Sequence, residues 1–380
     1  MKILFVQKEG GIFGAENYQL NVIPGLQTKG VQVDFLRLYT NHQGGRGGAF
    51  INKLCELKVK TFEINIGRLP KLNALIKIRS VVQNGGYDIV HTHLIHADFY
   101  LALVKTLLKM TPVLVSTKHG YDNSFTSRFG FDAKKQKRTL YFLVSRWAEK
   151  RMKSSFTISN GLKDFFLATG LSSSDKMGLI YYGFDLPDNH LKKGKETYRF
   201  SNYQIIIAGR LIPFKGHVFL INALAKVVDN FQDVILVVAG SGPLEESLKG
   251  HVKELGLENN VKFLGYTQDV GAFMANSDVV VIPSKSEGFG VVFLEAFSAK
   301  SPVVAWNVPA GNELIDHNKS GYLVPPYDET ELAQRLIDIL SNPEAQKPIV
   351  EAAYQRLKTN FNLNTMVDET ILFYESALKK

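Results

Sequence analysis

The sequence predicts an α/β protein of two Rossmann-like domains, each built on a parallel sheet, facing one another across an interdomain cleft. Three observations lead there. The chain has 380 residues, long for a single core and suited to two domains of about 150–200 residues each. Short β-branched runs alternate with small or polar turns and helix-period segments, which implies parallel sheets covered on both faces. Apolar periodicity is lost over 186–200, where Pro187, Asp188, Asn189 and Lys192-Lys193-Gly194-Lys195 read as a linker.

In the first domain, 1–187, the strand runs are 2–6, 31–38, 88–92, 113–117 and 156–158, with helical period over 18–28. In the second, 188–361, they are 203–208, 234–239, 261–264, 278–283 and 302–306, with helical segments at 219–228 and 293–299. A last helix, about 362–379, sets Met366, Ile371, Leu372, Tyr374 and Leu378 on an apolar stripe. Such a stripe needs a surface to cover, and crossing back onto the first domain over 362–380 would supply one.

Composition is that of a soluble globular protein, 45% hydrophobic and 21% charged. A single cysteine, Cys55, excludes an internal disulfide framework. The first apolar run stops at Gln7-Lys8-Glu9, too short for a signal-peptide core, and no stretch approaches the roughly 18 apolar residues of a membrane span. The expected location is cytoplasmic, with a peripheral place at the inner face of the membrane left open. Residues 1–190 carry 26 Lys+Arg against 14 Asp+Glu, a net of +12, whereas 191–380 carry 19 against 22, a net of −3. An anionic bilayer, a phosphorylated acceptor or nucleic acid could answer such a field, and solubilising charge alone explains it equally well. Nucleic acid is not an expected partner, because no reading motif is recognisable.

In open parallel sheets ligands bind beyond the carboxyl ends of the strands, and the unusual residues of this chain fall there repeatedly. The first strand leads into Gly10-Gly11-Ile12-Phe13-Gly14-Ala15-Glu16, the third into His91, Thr92 and His93, and the fourth into Lys118, His119 and Gly120. In the second half the strand ends carry Gly209-Arg210 with Lys215-Gly216, then Gly240-Ser241-Gly242-Pro243, then Ser284-Lys285-Ser286-Glu287-Gly288-Phe289-Gly290. Arg210 offers a fixed fork of donors and Lys215 a mobile point charge, a pair suited to a pyrophosphate. Gly288, Phe289 and Gly290 precede a helix starting near Val291, where bare amides can approach an anion. Glu295, inside that helix, can accept two hydrogen bonds from a vicinal diol such as a ribose, and Glu287 would point to the sugar side. Taken singly, Arg210 could be an ion pair and Glu295 a solvated helix residue; the ordered combination favours the site.

The histidines are a separate case. Strand alternation puts His91 and His93 on one face, yet with His96 they lack a cysteine or carboxylate at matching spacing, so no metal site is expected. One of the two would be a satisfied structural histidine and the other an acceptor contact. His119 sits among small and polar residues, placed to hydrogen-bond a donor hydroxyl or leaving group. There is no Asp-x-Asp diphosphate–metal clamp, which leaves neutralisation to Arg210, Lys215 and backbone amides.

Glu287-Gly288-Phe289-Gly290 through Glu295 resembles the E-x7-E motif of retaining GT-B glycosyltransferases of the family 4 type (glycosyl transferases group 1). Gly209-Arg210, Lys215-Gly216, Gly240-x-Gly-Pro, Phe263-Leu264-Gly265, Pro302-Val303-Val304 and Ser320-Gly321-Tyr322-Leu323-Val324 follow the same order, over about 200–345. The first half is similar through Gly14-Ala15-Glu16, His91-x-His93, His119-Gly120 and Ile158-Ser159. The resemblance implies that Arg210 and Lys215 bind the donor diphosphate, Glu295 the ribose and Glu287 the donor sugar. It gives the amides of Phe289 and Gly290, at the Val291 helix start, the sugar hydroxyls or phosphate. Gly14 would approach the phosphate, His119 the donor sugar, and Glu16 and His93 the acceptor side. Two departures stand out: Phe13 precedes Gly14 where the family often has a second glycine, and Tyr182-Gly183-Phe184-Asp185 replaces Asn-Gly-Ile/Val-Asp.

The implied reaction is retaining, metal-independent sugar transfer from a nucleoside-diphosphate sugar, UDP- or GDP-linked, without a cofactor. Charge stabilisation of the leaving diphosphate by Arg210, Lys215 and the helix end would dominate, with His119 and Glu287 as the further catalytic candidates beside the donor sugar, the acceptor attacking from the face that the diphosphate leaves. A nucleotide-sugar 2-epimerase of the same architecture and a non-catalytic sugar- or nucleotide-binding protein are alternatives. Lys134, Lys135, Lys137, Arg138, Arg146, Lys150, Arg151 and Lys153 accompany Leu140, Tyr141, Phe142, Leu143 and Trp147 over 133–154, as in interfacial helices. Packing on the first-domain sheet is the competing reading. With the loop 40–50, bearing Arg46 and Phe50, this segment could meet a lipid-linked or otherwise anionic saccharide acceptor.

Overall fold

The structure, a computed structural model, describes residues 1–380 apart from 9–13, 41–47, 122–125, 128–129, 132–137, 187–194, 286 and 380; at 126–127, 130–131 and 195–196 only the backbone is described. Gly10, Gly11, Ile12 and Phe13, Arg46, Lys134, Lys135 and Lys137, Ser286 and most of the linker 186–200 therefore lie outside the described residues. The chain divides into two compact units. One comprises Met1–Phe125, Asp132–Asp185 and Asn362–Lys380, the other Leu186–Phe361 with Thr126–Phe131.

The first unit holds β1 (Lys2–Lys8), β2 (Gln32–Tyr39), β3 (Lys60–Asn65), β4 (Ile89–His93) and β5 (Val113–Lys118). A short antiparallel hairpin, β6 (Thr126–Ser127) and β7 (Gly130–Phe131), stands apart from the main sheets, and β8 (Ser154–Thr157) and β9 (Met177–Leu179) follow. The seven sheet strands run parallel in the order β3-β2-β1-β4-β5-β8-β9. The second unit stacks β10 (Gln204–Ala208), β11 (Ile235–Ala239), β12 (Val261–Gly265), β13 (Val279–Ile282), β14 (Val303–Trp306) and β15 (Tyr322–Val324), parallel in the order β12-β11-β10-β13-β14-β15. Each order reverses once, at β1/β4 and at β10/β13, and such switch points open a crevice at the carboxyl ends.

The central strands form because they are buried on both faces: Ile205, Ile206 and Ile207 and the run Val279–Ile282 are almost wholly inaccessible. The helices His217–Val228 and Glu329–Ser341 pack together over one face, with Leu220, Leu224 and Leu336 against Leu236 and Trp306. In the first unit Leu4, Val6, Leu36, Val90 and Leu114 meet Leu101, Ile78 and Ala148 of the covering helices.

Four features depart from the sequence expectation. β3, with its sequence Lys-Thr-Phe-Glu-Ile-Asn, is an edge strand with only Ile64 buried, and β9 and β15 are three-residue edge strands. None has the apolar run that a strand buried on both faces requires. The final helix, Leu363–Lys379, packs in the first unit against the helix Gly14–Thr28 and β5. Its buried face is Met366, Val367, Thr370, Tyr374 and Ala377, while Leu372 and Leu378 are exposed. The expected stripe was thus rotated: Thr370 turns inward because its hydroxyl bonds back to the Met366 carbonyl at 2.7 Å, and small Ala377 fits a close contact.

Candidate functional site

In the second unit the three glycine-bearing turns after β10, β11 and β13 touch through their backbones. Gly209 N donates to Ala239 O (2.9 Å), Leu211 N to Ser241 O (3.0 Å) and Lys285 N to Phe214 O (2.8 Å). A Cβ on Gly240 would stand 2.0 Å from the Gly209 carbonyl oxygen, and one on Gly216, at φ +72°, 2.0 Å from that of Pro283. Only residues without a side chain allow this approach. These glycines serve the contact between loops.

Packing of the turns sets the charges. Pro213–Lys215 forms a single 3-10 turn, and the Lys215 stem lies along Gly209, about where a Cβ there would be 3.5 Å from its Cδ. The ammonium reaches Glu287, Nζ to Oε1 2.6 Å, with both side chains largely shielded from solvent. Glu295, in the helix Val291–Ser298, also feels Lys215: burial pushes its carboxyl up, and the Lys215 charge opposes that. The two glutamates of the E-x7-E motif thus converge on one lysine. Phe289 is buried, edge-to-face with Phe361 at 5.8 Å between ring centroids, fixing the loop, and Gly290 caps the helix that Val291 begins. Gly288 and Glu287 are half-buried beside them. Arg210, just beyond β10, is exposed.

His217 escaped the sequence reading. It is the first residue of His217–Val228, buried, and neither ring nitrogen has a partner among the described residues. Burial, then the charge of Lys215, lowers its pKa to about 4, so the ring is neutral. Its place two residues after Lys215 was the available signal, hidden by an otherwise apolar helix.

In the first unit the β1/β4/β5 register aligns Gln7 with His93 and His93 with Thr117 at the carboxyl edge. His91 is saturated: Nδ1 pairs with the Tyr374 hydroxyl and Nε2 with Thr117 Oγ1, each at 2.7 Å. His93 Nδ1 pairs with His119 Nε2 at 3.0 Å, leaving His93 Nε2 and His119 Nδ1 without partners among the described residues. Burial holds all three imidazoles neutral, His119 at about 3 with Lys118 adding to the effect. Lys118 itself is buried and ion-paired to Asp98 (2.6 Å) and Glu149 (2.7 Å), and their attraction outweighs its desolvation, holding its pKa up.

Gly14 opens the helix Gly14–Thr28, and no described residue comes within 4 Å of where its Cβ would be. Glu16 is buried and accepts from Gln7 Nε2, and Gln19 Nε2 donates to Gln7 Oε1. Within Tyr182-Gly183-Phe184-Asp185 the shared glycine is held by packing: Gly183 N donates to Met366 Sδ at 3.1 Å, and a Cβ there would meet Asn362 O at 2.7 Å. Of the departures, Tyr182 accepts from Asn21 Nδ2 at 2.9 Å through its hydroxyl.

These arrangements have counterparts in known proteins. The sequence pattern of Glycosyl transferases group 1 matches residues 192–356, and that of Glycosyltransferase Family 4 matches residues 12–187. An uncharacterised glycosyltransferase of Methanocaldococcus jannaschii is 29% identical over 308 residues, 77% of this chain and 76% of the relative. The UDP-Gal:alpha-D-GlcNAc-diphosphoundecaprenol alpha-1,3-galactosyltransferase of Escherichia coli is 24% identical over 323 residues, 82% and 81% of the two chains. Among solved structures, Anabaena HepE in complex with UDP superposes with a TM-score of 0.82 at 23% identity, covering 99% of this chain and 100% of that one. The family match sets aside the epimerase and the non-catalytic binding protein. This chain belongs to glycosyltransferase family 4, the glycosyl transferases group 1 type, and is a nucleotide-sugar-dependent glycosyltransferase of GT-B fold from a retaining family.

Proposed function

We propose that the enzyme transfers a hexosyl or related sugar from UDP, with retention, to a saccharide or lipid-linked saccharide in polysaccharide or glycolipid assembly. Residues 188–361 take the donor in this reading, and 1–187 with the returning last helix take the acceptor. The observation that carries it is the Lys215 ammonium, 2.6 Å from Glu287 and electrostatically coupled to Glu295, in a nest of glycine turns at the carboxyl edge of the sheet. Lys215, Arg210 and the amides of Phe289 and Gly290 neutralise the leaving diphosphate, so that no metal is needed. Glu295 accepts from the ribose hydroxyls and Glu287 from the sugar. Gly14 and His119 keep the donor-facing roles, and His93 and Glu16 the acceptor-side ones, that the family resemblance implies. Support for uridine comes from HepE, solved with UDP, and support for a lipid-linked acceptor from the Escherichia coli relative's diphosphoundecaprenol substrate.

Thermal unfolding with UDP, GDP and ADP tests the donor. UDP should stabilise the wild type, by about 2.7 kcal/mol at a hundred times Kd, and Lys215→Met should abolish the shift. A shift with GDP and none with UDP overturns the uridine assignment; a full UDP shift in Lys215→Met overturns the diphosphate site. Transfer to a polyprenyl-diphosphate saccharide in preference to the free sugar tests the acceptor.

A further inference from the structure

The first unit carries a second charged site at the edge of its sheet opposite His93 and His119. Lys153 immediately precedes β8 and Lys176 precedes β9; Lys105 lies in the last turn of the helix Ile95–Leu108, and Lys150 and Arg151 follow the helix Leu140–Glu149. These five cations, with the exposed carboxylate of Asp175 at the rim, line one recess of about 710 Å³.

Part of this charge serves the fold. Lys105 Nζ donates to Arg151 O (2.9 Å), Lys176 Nζ to the carbonyls of Lys150 and Met152 (3.3 Å each), and Arg151 Nη1 to Trp147 O (2.9 Å). Cations at a helix carboxyl terminus complement its partial negative charge. That half charge is far less than five positive ones. Each ammonium keeps further donors, and, Asp175 aside, no carboxylate among the described residues forms an ion pair with any of the five cationic groups. Crowding is felt inside the cluster, since burial and the charges of Lys176 and Lys153 lower the Lys105 pKa.

We propose that this recess is a phosphate-binding site, taking either the phosphodiester headgroups of an anionic lipid surface or a free oligophosphate. Arg151 Nε also donates to Thr106 Oγ1 at 2.7 Å, which leaves the convergent ammonium groups to meet oxygens that carry more than one negative charge. The site lies at the amino-terminal ends of the strands, away from the edge where this unit's histidines gather, and it stands whether or not the donor assignment above is correct.

The experiment compares wild type with Lys150→Gln/Lys153→Gln, one exposed and one half-buried position, in two arms at low salt. One arm measures co-sedimentation with phosphatidylglycerol vesicles against phosphatidylcholine vesicles; the other measures binding of tripolyphosphate under saturating UDP. Binding in either arm that falls about thirtyfold in the variant supports the site, at about a fivefold loss per lysine near an anionic surface, and the responding arm identifies the source. Lys176→Gln repeats the measurement if the double variant loses its native circular dichroism. Failure of the wild type in both arms, or equal binding by folded variants, overturns the proposal. Transfer to a water-soluble acceptor should be unchanged, which separates this site from the transferase reading.

Discussion

At the scale of single residues, the three buried imidazoles divide the work by what each nitrogen meets. His91 spends both nitrogens on Tyr374 and Thr117, while His93 and His119 are locked to one another through one 3.0 Å contact. Both rings are neutral, so each has one N–H, and the proton in that contact fixes both tautomers together. His93→Phe should release this lock: the His119 ring nitrogens, one protonated form in wild type by 15N spectroscopy, become a tautomer mixture. An unchanged His119 spectrum would refute the coupling. The same burial gives a pH dependence. An unfolded histidine titrates near 6.5, whereas His119 titrates at about 3 and His217 at about 4. Between those values the unfolded chain holds more protons, so the stability from neutral burial is complete above pH 6.5 and is lost as pH falls toward the folded values. His119→Gln should flatten the fall between pH 6 and 4 by up to roughly 1.4 kcal/mol per pH unit, read from urea unfolding at successive pH values. The sequence showed these histidines at strand ends, but not which was saturated, because Tyr374 reaches His91 from 283 positions away.

At the scale of elements, the glycine turns of the second unit were legible and their first duty was not. The strand ends marked Gly209, Gly216, Gly240 and Gly242 as turn residues beside the diphosphate set, and the contacts that exclude a Cβ are to other turns: Gly240 to Gly209, Gly242 to Leu211, Gly216 to Pro283. Gly240→Ala and Gly216→Ala should therefore destabilise the unit even without nucleotide, by about 1–3 kcal/mol or more from backbone strain and displaced loops, with loss of UDP binding following from misplacement of Lys215. If either alanine variant melts as wild type does, the packing account of these turns is wrong. The central strands were read because double-faced burial demands a β-branched run. β3, β9 and β15 were not, since an edge strand with one sheltered face can be polar or three residues long. Helix starts were likewise placed late: His217 opens its helix directly after Gly216, two residues before the apolar segment begins to repeat.

At the scale of the whole molecule, the chain is not colinear with its units, because the residues after Phe361 return to the unit that contains Met1. Gly183 receives the returning chain, Phe184 bridges Asn362, and Val367 presses on Gly25 of the helix Gly14–Thr28. Tyr374 then supplies a hydroxyl to His91 inside the sheet's covering layer. Ending the chain at Phe361 would strip Met366, Val367, Tyr374 and Ala377 from the first unit's core and leave His91 Nδ1 without its partner. Losing several large buried side chains at about 2–5 kcal/mol each, plus an orphaned buried nitrogen at about 1–3 kcal/mol, is comparable with the 5–15 kcal/mol or so that holds a typical domain together. The truncated chain should show rapid amide exchange across β1, β4 and β5 while β10, β11 and β13 stay protected, and Tyr374→Phe alone should reproduce only the smaller, hydrogen-bond part of the loss. Equal protection of both sheets after truncation would mean that the last helix decorates the first unit without supporting it, and that the His91 environment is built by the strands alone.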